Sequence, residues 1–339
     1  VARSSSGFRK ALSLIIVLSC LSFLTSVGNS KSRIYYIAAD EIEWNYAPSD
    51  SDLVMGHPLT EHQREWVEKD KDRIGRIYKK AVYREYTDST FSTLKPRGAE
   101  WDHLGLLGPV IRAEVGDTIH VFFKNNSTIV TSMHPHGVFY LKDSEGAPTN
   151  DGVNAPGGSV APGQRHHYVW PVPERAGPGP NDLSSIVWVY HGHHDHVRDL
   201  YAGLIGPMII TRKGMALEDG RPKDVDREFI NLFMIWDENL SPYLNKNIAN
   251  YMRKGFKPKK SDHDHDDHDD HDHHMHDMRE HEEHAKEVDS GDEFDHDWDN
   301  DRFEESNKKH AINGYLFGNI ADDDDEGWRE GAVVFGRYG

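Results

Sequence analysis

Short runs of alternating apolar and polar residues, broken by Gly and Pro, recur from Arg33 to Thr211. Residues 118–124 show the pattern most clearly: Ile119, Val121 and Phe123 fall on one side, and His120, Phe122 and Lys124 on the other. That period of two is the signature of a half-buried strand. Similar runs predict strands at residues 34–38, 81–86, 110–113, 167–171 and 208–211, with turns at Gly108-Pro109, Gly116-Asp117 and Pro162-Gly163. Many short strands with regular turn signals predict an all-β sandwich or barrel, here over residues 31–214. Residues 215–227 are polar and read as a linker. The run from Phe229 to Trp236 is apolar on both faces, so it is expected to be buried and to open a second domain over residues 228–339. Asn313-Gly314 is expected to form a turn. The remaining length is too short for a second domain as large as the first, so this domain is expected to be partial.

One stretch carries unusual chemistry. Residues 186–207 begin as a β-branched and aromatic run and reach His191-Gly192-His193 before ending at Gly206-Pro207. In an extended strand both imidazoles project from one face, together with Val187 and Val189, so the pair should continue a core-facing line. Two imidazoles side by side at an apolar strand end suit copper or zinc. A second pair, His134-Pro135-His136-Gly137, lies upstream in the strand expected within residues 131–140. The plainer alternative is ordinary histidines hydrogen-bonded at a strand end, since short motifs recur by chance. His194 and His196 are not expected to be ligands. His166 and His167 should be solvated or hydrogen-bonded, and Trp188 and Tyr190 should be core.

Composition narrows the picture. The net charge is −18, but residues 261–301 hold 19 acidic residues against Arg279 and Lys286, leaving the rest nearly neutral. Nothing there suggests a nucleic-acid partner. The tract over residues 257–301 is rich in Asp and His and poor in apolar side chains, so it is expected to be disordered. His263, His265, His268, His271, His273, His274 and His276 make it a candidate weak metal-binding tract, though a merely solvated loop has the same composition. Residues 1–30 read as a secretory signal, with Arg3, Arg9 and Lys10 ahead of an apolar run and small residues at Ser26-Val27-Gly28. The apolar run, about 13 residues, is short of the roughly 20 a spanning helix needs. The only cysteine, Cys20, lies inside this segment, so the secreted part has neither a disulfide nor the thiolate of a blue-copper site.

Several blocks together resemble the multicopper ferroxidases of the ceruloplasmin and hephaestin type. They are Asp72-Arg73-Ile74-Gly75-Arg76-Ile77-Tyr78-Lys79-Lys80-Ala81, Leu106-Leu107-Gly108-Pro109-Val110-Ile111, the two His-x-His pairs, Gly203-Leu204-Ile205-Gly206-Pro207, Asp237-Glu238-Asn239 and Asn313-Gly314-Tyr315. The resemblance implies cupredoxin-like (plastocyanin-like) antiparallel β-sandwiches, and a trinuclear copper cluster shared between the first domain and a last one. Carried over by motif, His134 resembles a type 2 copper ligand, and His136, His191 and His193 resemble ligands of the type 3 pair. Gly192 stands where last-domain relatives carry the blue-copper cysteine. Ser185 and Thr211 stand where the family has a disulfide, and Gly157-Gly158 where it has an acidic pair for calcium.

The resemblance thus implies the N-terminal part of a secreted or membrane-anchored oxidase. Fe(II) would be the reducing substrate and O2 the acceptor, with the other ligands coming from absent C-terminal cupredoxin domains. This part alone is expected to be inactive. Two other classes remain open: a secreted metal carrier that uses the Asp/His tract, and a non-enzymatic cupredoxin scaffold like that of the large coagulation factors.

Overall fold

The computed structural model describes residues 30–53, 55–149, 151–152, 155–252, 301–316 and 333–334. Residues 1–29 of the segment read as a secretory signal, and nearly all of the Asp/His tract, lie outside the described residues. The strands are β1 (Ser32–Asn45), β2 (Ser51–Asp52), β3 (His57–Pro58), β4 (Ile77–Tyr86), β5 (Ile111–Glu114), β6 (Thr118–Asn125), β7 (His134–Pro135), β8 (Arg165–Pro171), β9 (Ser185–His191), β10 (Ile205–Thr211), β11 (Asn231–Asp237), β12 (Lys308–Ile312) and β13 (Val333–Val334). The helices are short: α1 (Glu61–Arg64), α2 (His196–Ala202), α3 (Leu244–Tyr251) and α4 (Asp301–Ser306).

Two four-stranded sheets face each other, with orders β4-β1-β6-β8 and β5-β10-β9-β7. Most neighbours are antiparallel; β1 with β6 and β10 with β5 are parallel. The alternation at residues 118–124 works as expected: Ile119, Val121 and Phe123 are fully buried between the sheets, and His120, Phe122 and Lys124 face outward. Opposite them stand Tyr190, Met208 and Ile210, with Tyr168 and Trp170 from β8. The turns form where Gly permits a positive φ, at Gly116 (97°) and Gly163 (78°). Ser185 and Thr211 are direct partners in the β9–β10 register.

A second core lies on the far side of the second sheet. Ile205 and Ile209 of β10 turn away from the sandwich and meet Ile230, Leu232, Trp236, Leu244, Ile248 and Phe303. This double coverage explains why every residue of β10 is buried. It also corrects the reading of β9. Ile186, Trp188 and Tyr190 face the sandwich core, whereas Val187 packs against the second cluster. The line expected to face a core thus packs, at Val187, on the second core rather than on the sandwich core. Two faces of one apolar strand look alike when both are covered.

β11 pairs with β12 and β13. Its expected burial on both faces is fuller on one: Leu232 and Trp236 are buried and Met234 packs beside them, while Phe233 and Ile235 on the other face are only partly buried and Phe229 is exposed. The Asn313-Gly314 turn has φ of 53° and 81°, the two positive values of a type I′ hairpin. The buried Asn313 side chain adds three hydrogen bonds: it donates to His103 O (2.6 Å) and Ile230 O (2.7 Å) and accepts from Leu232 N–H (2.7 Å).

A buried ion pair crosses this junction. Lys80 of β4 meets Glu238, both with fully buried side chains, and Lys80 also donates to Tyr201 O at 2.7 Å. Tyr46 donates its hydroxyl to the same carboxylate. Burial pulls the Lys80 amine down and pushes the Glu238 carboxyl up, and their mutual attraction opposes both shifts. No helix among the described residues is long and apolar enough to cross a membrane.

Candidate metal centre

Only two residues of the region 131–140 pair as strand, but they decide the site. β7 lies at the edge of the second sheet, antiparallel to β9, with His134 directly opposite His191 and Pro135 opposite Tyr190. The His136 N–H donates to Val189 O at 2.9 Å, fixing the chain one step further. Gly137 then turns with φ 81°; the Trp188 indole lies so close that a Cβ there would come within 2.3 Å of it. Trp188 itself is held by its Nε1–H donating to Ala176 O at 2.8 Å.

Four imidazoles meet at this edge. Ring centroids are 4.9 Å apart for His134 and His193, 5.1 Å for His136 and His191, 5.2 Å for His134 and His136, and 5.5 Å for His191 and His193. The Nε2 atoms of His136 and His191 are 2.9 Å apart. His134 Nδ1 lies 2.6 Å from Glu145 O, and His191 Nδ1 lies 2.8 Å from Gly192 O. A carbonyl only accepts, so both Nδ1 atoms carry the proton and neither Nε2 does; the His191 Nε2 then accepts from the His136 Nε2–H across the 2.9 Å between them. Burial lowers the pKa of His134 and His136, and takes His191 down to about 4. Burial thus favours the neutral ring at all three, the form that ligates metal.

The backbone behind the rings is tied by groups the sequence did not single out. Ser132 Oγ accepts the His193 N–H at 3.0 Å and donates to Gly146 O at 2.5 Å. Asp199, on α2, is buried; its Oδ2 accepts from Thr131 Oγ1 and from the His194 N–H, each at 3.0 Å. Burial pushes this carboxyl up to about 7. Gly192 rests on Asp199, and a Cβ at 192 would come within 2.7 Å of the Asp199 Cβ. One carboxylate thus joins the strand entering the first pair to the loop leaving the second. Asp195 caps α2, its side chain accepting the Arg198 N–H at 3.1 Å, whereas no periodicity in the sequence distinguishes Asp199.

The other histidines lie apart from these donors or at their margin. The strand ends at His191, and His194 Nδ1 bonds Ser159 Oγ at 2.9 Å. His196 comes nearer, with its ring 5.5 Å from His193 and 6.3 Å from His191. His166 Nε2 bonds Asp143 O at 2.8 Å, and His167 stands on the outer face of β8 beside His120. His263, His265, His268, His271, His273, His274 and His276 fall outside the described residues.

Copper can be tested against this donor set. Among the described residues no three His, Cys, Asp or Glu side chains are grouped so as to hold one ion by themselves. The rings instead pair off, as a share of a multi-ion centre would. The 2.9 Å between two Nε2 atoms is the spacing of adjacent ligands on one ion, since bonds of about 2.0 Å set such nitrogens about 2.8–3.3 Å apart. Neutral imidazoles suit an ion that changes oxidation state. The residues fit.

Known proteins point the same way. Residues 104–214 match the family model described as multicopper oxidase. The chain is 40% identical over 316 residues to the Homo sapiens protein named ferroxidase HEPHL1, covering 90% of this chain and 24% of that protein. It is 39% identical over 292 residues to hephaestin of Mus musculus (85% of this chain, 21% of that protein). Against ceruloplasmin of Mus musculus it is 39% identical over 293 residues (85% and 24%). The chain thus spans about a quarter of the length of the curated relatives it matches. Copper is the cofactor of this family. The chain carries a multicopper oxidase domain of cupredoxin fold, within a sequence related over most of its length to hephaestin and ceruloplasmin.

Proposed function

We propose that this chain contributes one half of a trinuclear copper centre to a secreted ferroxidase, in which further cupredoxin domains provide the other half and the blue copper. The observation that carries the reading is the β7–β9 pairing, which sets His134 opposite His191 and gathers four imidazoles at one sheet edge. His134 takes the type 2 position, and His136, His191 and His193 the type 3 positions. Bound copper supplies the oxidation-state change that passes electrons from a reducing substrate to O2.

The protein's part is to hold and orient. The Glu145 and Gly192 carbonyls fix the Nδ1 protons of His134 and His191, aiming Nε2 at the ions. Trp188 and Gly137 set the turn that brings His136 round. Gly192 leaves no thiolate between the second pair, so electrons enter elsewhere in the assembled protein. Fe(II) as the substrate rests on relatives named as ferroxidases. The basic and then apolar start of the chain supports secretion.

The test mixes the full-length protein with Fe(II) under air and follows Fe(III) formation together with oxygen uptake. Both should proceed, and both should stop in His134→Ala. Copper bound without iron oxidation would favour the carrier reading instead.

A further inference from the structure

The outer face of the first sheet carries a second pair of imidazoles, on the other sheet from β7. β6 and β8 run antiparallel, with Phe122 opposite His167 and His120 opposite Val169, so His120 and His167 are diagonal neighbours on the outward face. Their Nδ1 and Nε2 atoms stand 3.2 Å apart. The rings are stacked, with centroids 5.3 Å apart and planes 22° apart. His167 also lies flat on Phe122, at 4.2 Å and 1°, and Phe122 stacks in turn on Tyr36. This aromatic ladder fixes the plane of His167 while its edge stays open to solvent. Two cations of β6 and β8, Lys124 and Arg165, lie over the Phe91 ring. His166 is directed elsewhere, bonded to Asp143 O.

We propose that His120 and His167 form a separate binding site for one divalent late transition-metal ion, Zn(II) in the first instance, with water in the remaining positions. The 3.2 Å separation matches the edge of a tetrahedral site with bonds of about 2.0 Å, which is about 3.3 Å. Two fixed nitrogen donors and open water positions give a site that loads and releases its ion reversibly. It shares no residue with the four-histidine centre, and it does not depend on the oxidase reading.

The test reads each histidine separately. The full chain is acylated with diethyl pyrocarbonate, with and without micromolar Zn(II), and each histidine peptide is quantified by mass spectrometry. Zn(II) should cause loss of labelling at His120 and His167 together, while the exposed His57 stays reactive. In His120→Ala, micromolar Zn(II) should no longer protect His167. Equilibrium dialysis should find one fewer ion bound to His167→Ala than to the wild type. Unchanged labelling of His167 with Zn(II), retained protection in His120→Ala, or unchanged stoichiometry in His167→Ala would each overturn the proposal.

Discussion

His134 and His191 face each other directly across the pairing of β7 with β9, with ring centroids 5.6 Å apart. The distance matters less than how it is fixed. Each residue has its Nδ1 bound to a backbone carbonyl, so the backbone that sets the strand register also sets the direction of each Nε2. A register slip of one residue would turn the edge residues to the opposite face and disperse the rings.

Gly192 is the tightest point of the second pair. A Cβ there would lie 2.7 Å from the Asp199 Cβ, where both groups are packed. Gly192→Ala should therefore cost about 1–3 kcal/mol of stability, as overpacking does. It should also weaken copper binding at the four-histidine edge, because relief requires α2 or the His191–His193 backbone to move. Urea unfolding and a copper titration of the same variant check both effects.

Two buried groups tie metal-free stability to pH with opposite signs. His191 is lowered from 6.5 to about 4 in the folded protein. The unfolded chain therefore binds more protons between those values, and stability falls as pH drops through that window. Asp199 is raised from 3.8 to about 7. There the folded protein holds the extra proton, and stability falls as pH rises through that window. His191→Ala should flatten the acid limb, and Asp199→Asn should gain on the wild type as pH rises towards neutral. Chemical denaturation at several pH values, with copper removed, separates the two.

The Lys80–Glu238 pair locks the second cluster onto the sandwich. Lys80→Ala leaves a fully buried carboxylate without its cation, a loss of about 3–5 kcal/mol. The double variant Lys80→Met with Glu238→Gln should recover much of that loss, because neither remaining group demands a counter-charge. Guanidinium unfolding of the single and double variants measures the difference.

The architecture and the four histidines were legible in the sequence because they rest on local patterns. The period of two at residues 118–124 placed β6, and Asn313-Gly314 placed a hairpin turn. What the sequence did not reveal depends on long-range partners. Val187 and Ile186 are equally apolar, so only the covering cluster on each side shows which one faces the sandwich. Phe233 and Ile235 read as buried, but they are only partly so, on the face of β11 turned away from the second cluster. Asp199, Ser132 and Thr131 carry no motif, and their roles come from chain segments meeting at the His edge. The diagonal of His120 and His167 required the β6–β8 register.

The central claim is that His191 and His193 are copper ligands where O2 is reduced, apart from the site where electrons enter. Stopped-flow absorbance of the blue band in the full-length protein tests it most directly. In His191→Ala and in His193→Ala, Fe(II) should bleach the band once, as in the wild type, and the colour should fail to return when O2 is admitted. Recovery of the band at the wild-type rate in either variant would contradict the account.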